Sequence, residues 1–202
     1  VRQASSDIWN QALGQIAVKG NSEKEKVKFY SALYNAHFLP RAFSDVDGSY
    51  PRFDGDGQIM KMDHGTYYCD FSQWDTYRAV HPLFSILTPS RNGDMAHSLV
   101  LKGQQGGWLP IFPSWNSYTA AMIGDHCIAM IGDAIVKDTP GFDYEEAYTL
   151  MRKNAFEANP DSGSYRDGKG RRAMESYLKY NYVPVEDQVT EAFHRREQVS
   201  RT

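Results

Sequence analysis

Apolar residues recur three and four positions apart in segment after segment of this chain, and a Gly, a Pro or a capping side chain closes most of the segments. That spacing follows the 3.6-residue period of a helix and not the two-residue period of a strand, so it commits the chain to helices packed on helices. After Ser5-Ser6, the residues Ile8, Trp9, Ala12, Leu13, Ile16 and Ala17 form one helical face that Gly20-Asn21 ends. Ser22 and Glu25 have the S-x-x-E spacing of a capping box, and Tyr30, Leu33, Tyr34 and His37 continue that helix to Pro40. A run from Phe71 to Leu87 contains Pro82, whose ring and missing N–H predict a break near Ala79 to His81. A helix is expected from Asn92 to Lys102, closed by Gly103, Gly106 and Gly107. Residues 119–137 are apolar nearly all round and predict one buried inner helix. Asp143 with Glu146 opens a capped helix toward Asn159-Pro160, and another follows Gly170 to Tyr180. Val189 and Phe193 extend the pattern into the tail. The expected class is all-α. Helical hairpins with long loops at one end resemble part of an (α/α)6 barrel more than a tight bundle.

Between Asp45 and Gly65 the punctuation changes to Asp and Gly, which predicts an irregular acidic loop or a short hairpin. The balance of 22 Lys+Arg against 25 Asp+Glu gives a net charge of −3, which argues against a nucleic-acid footprint. No apolar run approaches the roughly 20 residues of a membrane span. Two Cys, Cys69 and Cys127, are too few for a disulfide framework, and no Cys/His group has zinc spacing. Thirteen Tyr and four Trp in a chain of mean hydropathy −0.58 present many amphipathic rings to something polar. Such rings suit sugars as well as cores.

Four groups of residues carry possible chemistry. The first is Phe71-Ser72-Gln73-Trp74-Asp75-Thr76-Tyr77-Arg78, followed by His81-Pro82-Leu83. A Trp beside a carboxylate matches a pyranose: the ring covers the C–H face and the oxygens accept adjacent hydroxyls. Equally, Trp74 belongs to a core and Asp75 pairs with Arg78 or caps a helix. The second is Gly106-Gly107-Trp108-Leu109-Pro110 with Trp115 and Asn116, either a close backbone approach to a ligand or a plain turn. The third is Asp125, His126 and Asp133 on the apolar helix, which line a cavity or tie down loops. The fourth is the acidic set Asp45, Asp47, Asp54, Asp56 and Asp63. Counted from Asp45 it has Tyr50 where a calcium loop has Gly and Asp56 where it has Glu, so a solvated turn is the better reading. A phosphate loop, a serine nucleophile elbow and an HExxH pair are missing from the sequence.

Taken in order, these segments say more. Lys28-Phe29-Tyr30-Ser31-Ala32-Leu33-Tyr34, Asp47-Gly48-Ser49-Tyr50, the Phe71-to-Arg78 segment, Gly106-Gly107-Trp108-Leu109-Pro110, Met122-Ile123-Gly124-Asp125-His126, Asp133-Ala134 and Phe142-Asp143 follow one another. The series resembles glycoside hydrolase family 92, the calcium-dependent exo-acting α-mannosidases of bacteria, over essentially the whole chain. The resemblance implies an inverting mechanism, and a β-sandwich domain followed by an (α/α)6 barrel. Residues 1–20 are then expected to be a linker helix and 21–202 the first half of the barrel, truncated at the C-terminus. The family's general-acid Glu lies in a Glu-Gly-Asn-type segment and its base in a Gly-Asn-Asp-Asp segment. Neither segment occurs here, so no catalytic residue is assigned to this chain. What the resemblance implies is mannose binding by Trp74 and Asp75, with Arg78, Trp108 and His126 as supports. It also implies a Ca2+ cofactor whose ligands the sequence does not identify. The parent protein is expected to be a secreted or periplasmic bacterial enzyme acting on mannose-containing glycans, with the β-sandwich and the rest of the barrel as structural partners. This piece alone is expected to be inactive. The alternative is a non-catalytic helical module that binds carbohydrate or packs between domains.

Overall fold

The computed structural model describes residues 1–20, 22–122, 124–160, 168–171 and 173–185. The expected tail helix around Val189 and Phe193 lies outside the described residues. The chain divides into two compact units, Val1–Leu39 and the part from Pro40 onward.

The first unit is a helical hairpin of α1 (Arg2–Leu13) and α2 (Glu23–Ala36). Ser5 and Ser6 fall inside α1 instead of preceding it, and α1 stops at Gly14, short of Ile16 and Ala17. The Tyr30 hydroxyl donates to the Ile16 carbonyl at 2.8 Å and accepts from the Val18 N–H at 3.3 Å, so those backbone groups bond to a side chain instead of a helix ladder. The expected cap of α2 is present: Ser22 Oγ accepts from the Glu25 N–H. Trp9 closes the seam against Tyr34 at 4.5 Å and against His37 edge-on at 6.0 Å.

The second unit begins with four short strands. β1 (Arg41–Ala42) pairs antiparallel with β4 (Tyr68–Cys69), and β2 (Ser49–Pro51) pairs with β3 (Ile59–Lys61) in the register Tyr50↔Met60. The acidic stretch is therefore a hairpin, and two of its carboxylates serve their own turns. Asp47 accepts both the N–H and the hydroxyl of Ser49, and Asp56 accepts the N–H of Gln58.

Among the described residues six helices follow: α3 (Gln73–Thr76), α4 (Val80–Leu87), α5 (Pro89–Gly106), α6 (His126–Val136), α7 (Tyr144–Phe156) and α8 (Met174–Tyr180). The break expected near Pro82 lies between α3 and α4. Pro82 itself is the third residue of α4, where its missing N–H is one of the unbonded first-turn groups. α5 outruns the expected helix at both ends, with Pro89 at its first position and Gly107 at φ 87° as its left-handed cap. The single inner helix expected over 119–137 is corrected. Only His126–Val136 is helical, because Met122 at φ 63° and Gly124 at φ 88° cannot sit in a right-handed turn. Asp143 caps α7 through the Glu146 N–H as expected, and α7 ends at Phe156, before Asn159.

α5 is the axis of this unit, packed on α4, α6 and α7 around a core of Phe71, Phe84, Met95, Leu99, Leu109, Cys127, Met130, Ile131 and Leu150. Its glycines ease that centrality: a Cβ on Gly103 would stand 2.8 Å from a Leu150 methyl of α7 and crowd it. The architecture is all-α in its helices and core, as expected, and no barrel closes among the described residues.

Candidate functional site: the Trp74–Arg78 corner

Asp70, at φ 56°, turns the chain out of β4 into α3. Its carboxylate accepts the Trp115 N–H at 2.8 Å and lies 3.5 Å from Arg41 Nε, while the Phe71 N–H donates to the Pro113 carbonyl at 3.1 Å. Phe71, Gln73 and Thr76 face inward, which leaves Asp75 on the exposed side of α3 and Trp74 half-buried beside it. A four-residue helix holds this orientation only through those anchors.

Behind Asp75 stands an aromatic and cationic cluster. The His126 ring, at the first turn of α6, stacks on Tyr77 at 4.4 Å and meets Trp74 edge-on at 5.1 Å. The Arg78 guanidinium lies over both Trp74 (5.0 Å) and Tyr77 (5.3 Å). Burial, with Arg78 adding to it, pushes the His126 pKa below the ordinary imidazole value, so the ring is neutral at physiological pH. Its Nε2 is buried with no hydrogen-bond partner among the described residues. Gly124 makes room for it, since a Cβ there would stand 2.5 Å from that nitrogen.

The pairing of Asp75 with Arg78 that their spacing allows is not formed. Asp75 accepts from Ser72 Oγ at 2.6 Å, and Arg78 Nε donates to the Trp74 carbonyl at 3.3 Å. One Asp75 oxygen therefore remains available on the open side, beside an indole held by a cation. That combination is suited to a polyhydroxy ring.

Of the expected site residues, Trp74, Asp75, Arg78 and His126 come together across α3 and α6. Trp108 belongs to a different cluster. It is 8% exposed, packed with Phe53 and Tyr118, with Lys153 Nζ 4.5 Å from its ring centre. Its backbone exchanges two hydrogen bonds with the Tyr118 hydroxyl, so Trp108 braces a loop and offers no open face. Asp125 is buried and tied to Arg171 at 3.0 Å; burial raises its pKa and Arg171 partly offsets this. Asp133 pairs on the surface with Lys137 at 2.6 Å. Tyr77, which closes the cluster on His126, is the residue that periodicity did not single out. Its partner lies 49 positions away, a separation no local pattern reports.

The described residues do not offer a calcium cage. Asp45, Asp47 and Asp56 are spent on their own turns, and Asp54 on Lys169. The one His/Cys/Asp/Glu cluster among the described residues, Asp63 with His64 and His97, has two nitrogen donors and does not suit a hard cation. Cys69 and Cys127 are free and buried, each thiol pushed up by burial.

Residues 1–202 match the sequence profile described as the glycosyl hydrolase family 92 catalytic domain. The chain is also similar to solved structures from Bacteroides thetaiotaomicron. To the family GH92 α-mannosidase BT3965 it is 33% identical with a TM-score of 0.80, covering 93% of this chain and 24% of that one. The structure of the same enzyme in complex with mannoimidazole gives 33% identity and a TM-score of 0.77 over 94% of this chain and 23% of that one. The inverting mannosidase BT2199 of the same family is 28% identical with a TM-score of 0.80, over 92% of this chain and 25% of that one. No curated protein matches at comparable stringency. This chain thus spans about a quarter of the length of these relatives, and its helices are part of an (α/α)6 barrel.

Proposed function

Because this chain belongs to glycoside hydrolase family 92, we propose that the complete protein is an exo-acting α-mannosidase in which Trp74 and Asp75 bind the terminal mannose. The observation that carries the reading is the exposed Asp75 carboxylate beside the half-buried Trp74, on a corner whose cation and neutral imidazole face the indole from behind. In this arrangement Asp75 accepts hydrogen bonds from adjacent sugar hydroxyls, Trp74 covers the C–H face, and Arg78 and His126 hold the indole in place.

Inversion at the anomeric carbon and dependence on Ca2+ are part of the proposal and rest on family membership. Inverting hydrolysis needs two carboxyl groups about 6.5–9.5 Å apart, one protonating the leaving oxygen and one activating water. Neither role goes to an acid of this chain. Both belong to family segments that do not occur in this sequence, so the chain alone would bind and not turn over. The reading extends to a bacterial enzyme, secreted or periplasmic, acting on mannose-terminated glycans.

The test is Asp75→Ala in the complete protein, assayed on an α-mannobioside with and without a chelator. Losing two hydrogen bonds to a charged acceptor costs about 3 kcal/mol or more, which lowers kcat/KM about a hundredfold. An unchanged kcat/KM refutes the assignment of Asp75. Activity indifferent to the chelator refutes the calcium requirement.

A further inference from the structure

Away from the Trp74 corner, three segments of the second unit converge on a pair of imidazoles. Asp63 and His64 leave the end of β3, His97 projects from α5, and the Pro140–Gly141 turn leads toward α7. The His64 and His97 rings stack at 4.9 Å and 16°. One donor atom from each of Asp63, His64 and His97 lies within 4.8 Å of the other two.

The hydrogen bonding at His64 requires a cation. Its Nε2 lies 3.1 Å from the Gly141 carbonyl oxygen, which can only accept, so Nε2 carries the proton. In the neutral ring Nδ1 is then a bare lone pair, and it faces Asp63 Oδ1 at 2.9 Å, another lone pair. Something positive must lie between them, either a second proton on the ring or a metal ion. A proton satisfies His64 alone. It leaves the buried His97 Nδ1 without a hydrogen-bond partner among the described residues, and it stacks a cationic ring on its neighbour.

We propose that Asp63, His64 and His97 form a site for a divalent transition-metal ion of the zinc type, which clips the β3 end, α5 and the Gly141 turn together. Two imidazoles and one carboxylate are a borderline N/O donor set, suited to zinc and poor for calcium. The Gly141 carbonyl is the outer partner that fixes the tautomer and aim of a ligating histidine. Metal bonds of roughly 2.0–2.2 Å need closer spacing than 4.8 Å at the widest pair. Two near-parallel rings do not aim their lone pairs at one point, so binding turns the half-exposed His64 ring out of its stack on His97. Asp94 lends further negative potential nearby, its carboxylate accepting the Thr66 N–H at 3.1 Å.

The site is independent of the mannosidase reading, and so is its test. The complete protein is stripped with a chelator, returned to saturating Ca2+ so that oxygen-rich sites are filled, and titrated calorimetrically with Zn2+. Wild type is expected to show a Zn2+ binding event that weakens at least about tenfold in His64→Ala, in His97→Ala and in Asp63→Asn. No Zn2+ binding by wild type, or equal binding in wild type and variants, overturns the proposal. Should His97→Ala fail to fold, His64→Ala and Asp63→Asn alter half-exposed or exposed side chains and decide the matter.

Discussion

Lys102 is a fully buried lysine in α5, and its removal is the sharpest probe of this fold. Its ammonium donates to the Tyr68 carbonyl and sits 3.6 Å from the centre of the Tyr67 ring, with Phe53 at 5.5 Å and Phe71 at 5.6 Å. No described carboxylate is within 4 Å of it, so burial dominates and draws its pKa from 10.5 down to about 7. The unfolded chain holds that proton up to pH 10.5, whereas the folded chain releases it near pH 7. Between those limits the unfolded state binds more protons, so stability rises with pH, and that gain is lost as pH falls from 10.5 toward 7. The slope approaches about 1.4 kcal/mol per pH unit, which between pH 6.5 and 8.5 amounts to about 2 kcal/mol. Lys102→Met keeps a flexible chain of similar length in the aromatic cage and removes the proton. Urea unfolding of the complete protein is measured at about pH 6.5, 7.5 and 8.5 for both forms, a window below the ordinary thiol pKa. The stability of wild type minus that of Lys102→Met should grow by about 2 kcal/mol across the series. A difference that stays constant with pH refutes the account of Lys102 as a desolvated amine.

Gly93→Ala in α5 gains about 1 kcal/mol by helix propensity alone, but its Cβ would stand 1.8 Å from the Pro140 carbonyl oxygen; a net loss of about 2–3 kcal/mol by urea unfolding is expected, and a gain would contradict the packing. His81 is 1% exposed and bonded to Asn92, and burial lowers its pKa from 6.5 to about 4. Stability is therefore lost as pH falls from 6.5 toward 4, by up to about 3 kcal/mol, and His81→Gln should flatten that acid limb. Gly124→Ala displaces the His126 ring and strains a left-handed backbone, so kcat/KM on an α-mannoside should fall about 10–100-fold while the helical circular dichroism signal holds.

Some of this was legible residue by residue. The Ser22 and Asp143 caps, the break before Pro82 and the glycine stop of α5 are local: each depends on a residue within four positions of the backbone it affects. The stretch 119–125 was not legible, because apolar composition says that a segment is buried and not which backbone conformation it takes there. Within the candidate site, the Trp74-Asp75 pair stood out by its chemistry. The spacing of Arg78 and Asp75 allowed an ion pair; Arg78 instead lies over two aromatic rings, and Asp75 accepts from Ser72.

The sequence by itself determined the helical class, and it left the acidic stretch with two options, an irregular loop or a short hairpin. Only the tertiary structure decided that Trp108 is a brace, that Tyr77 and His126 share a stack, that Lys102 is caged, and that His64 and His97 meet 33 positions apart. The physical reason is range. Capping, helical period and proline geometry act within one or two turns, whereas burial, desolvation and ring stacking depend on which distant segments the glycines of α5 allow to come close.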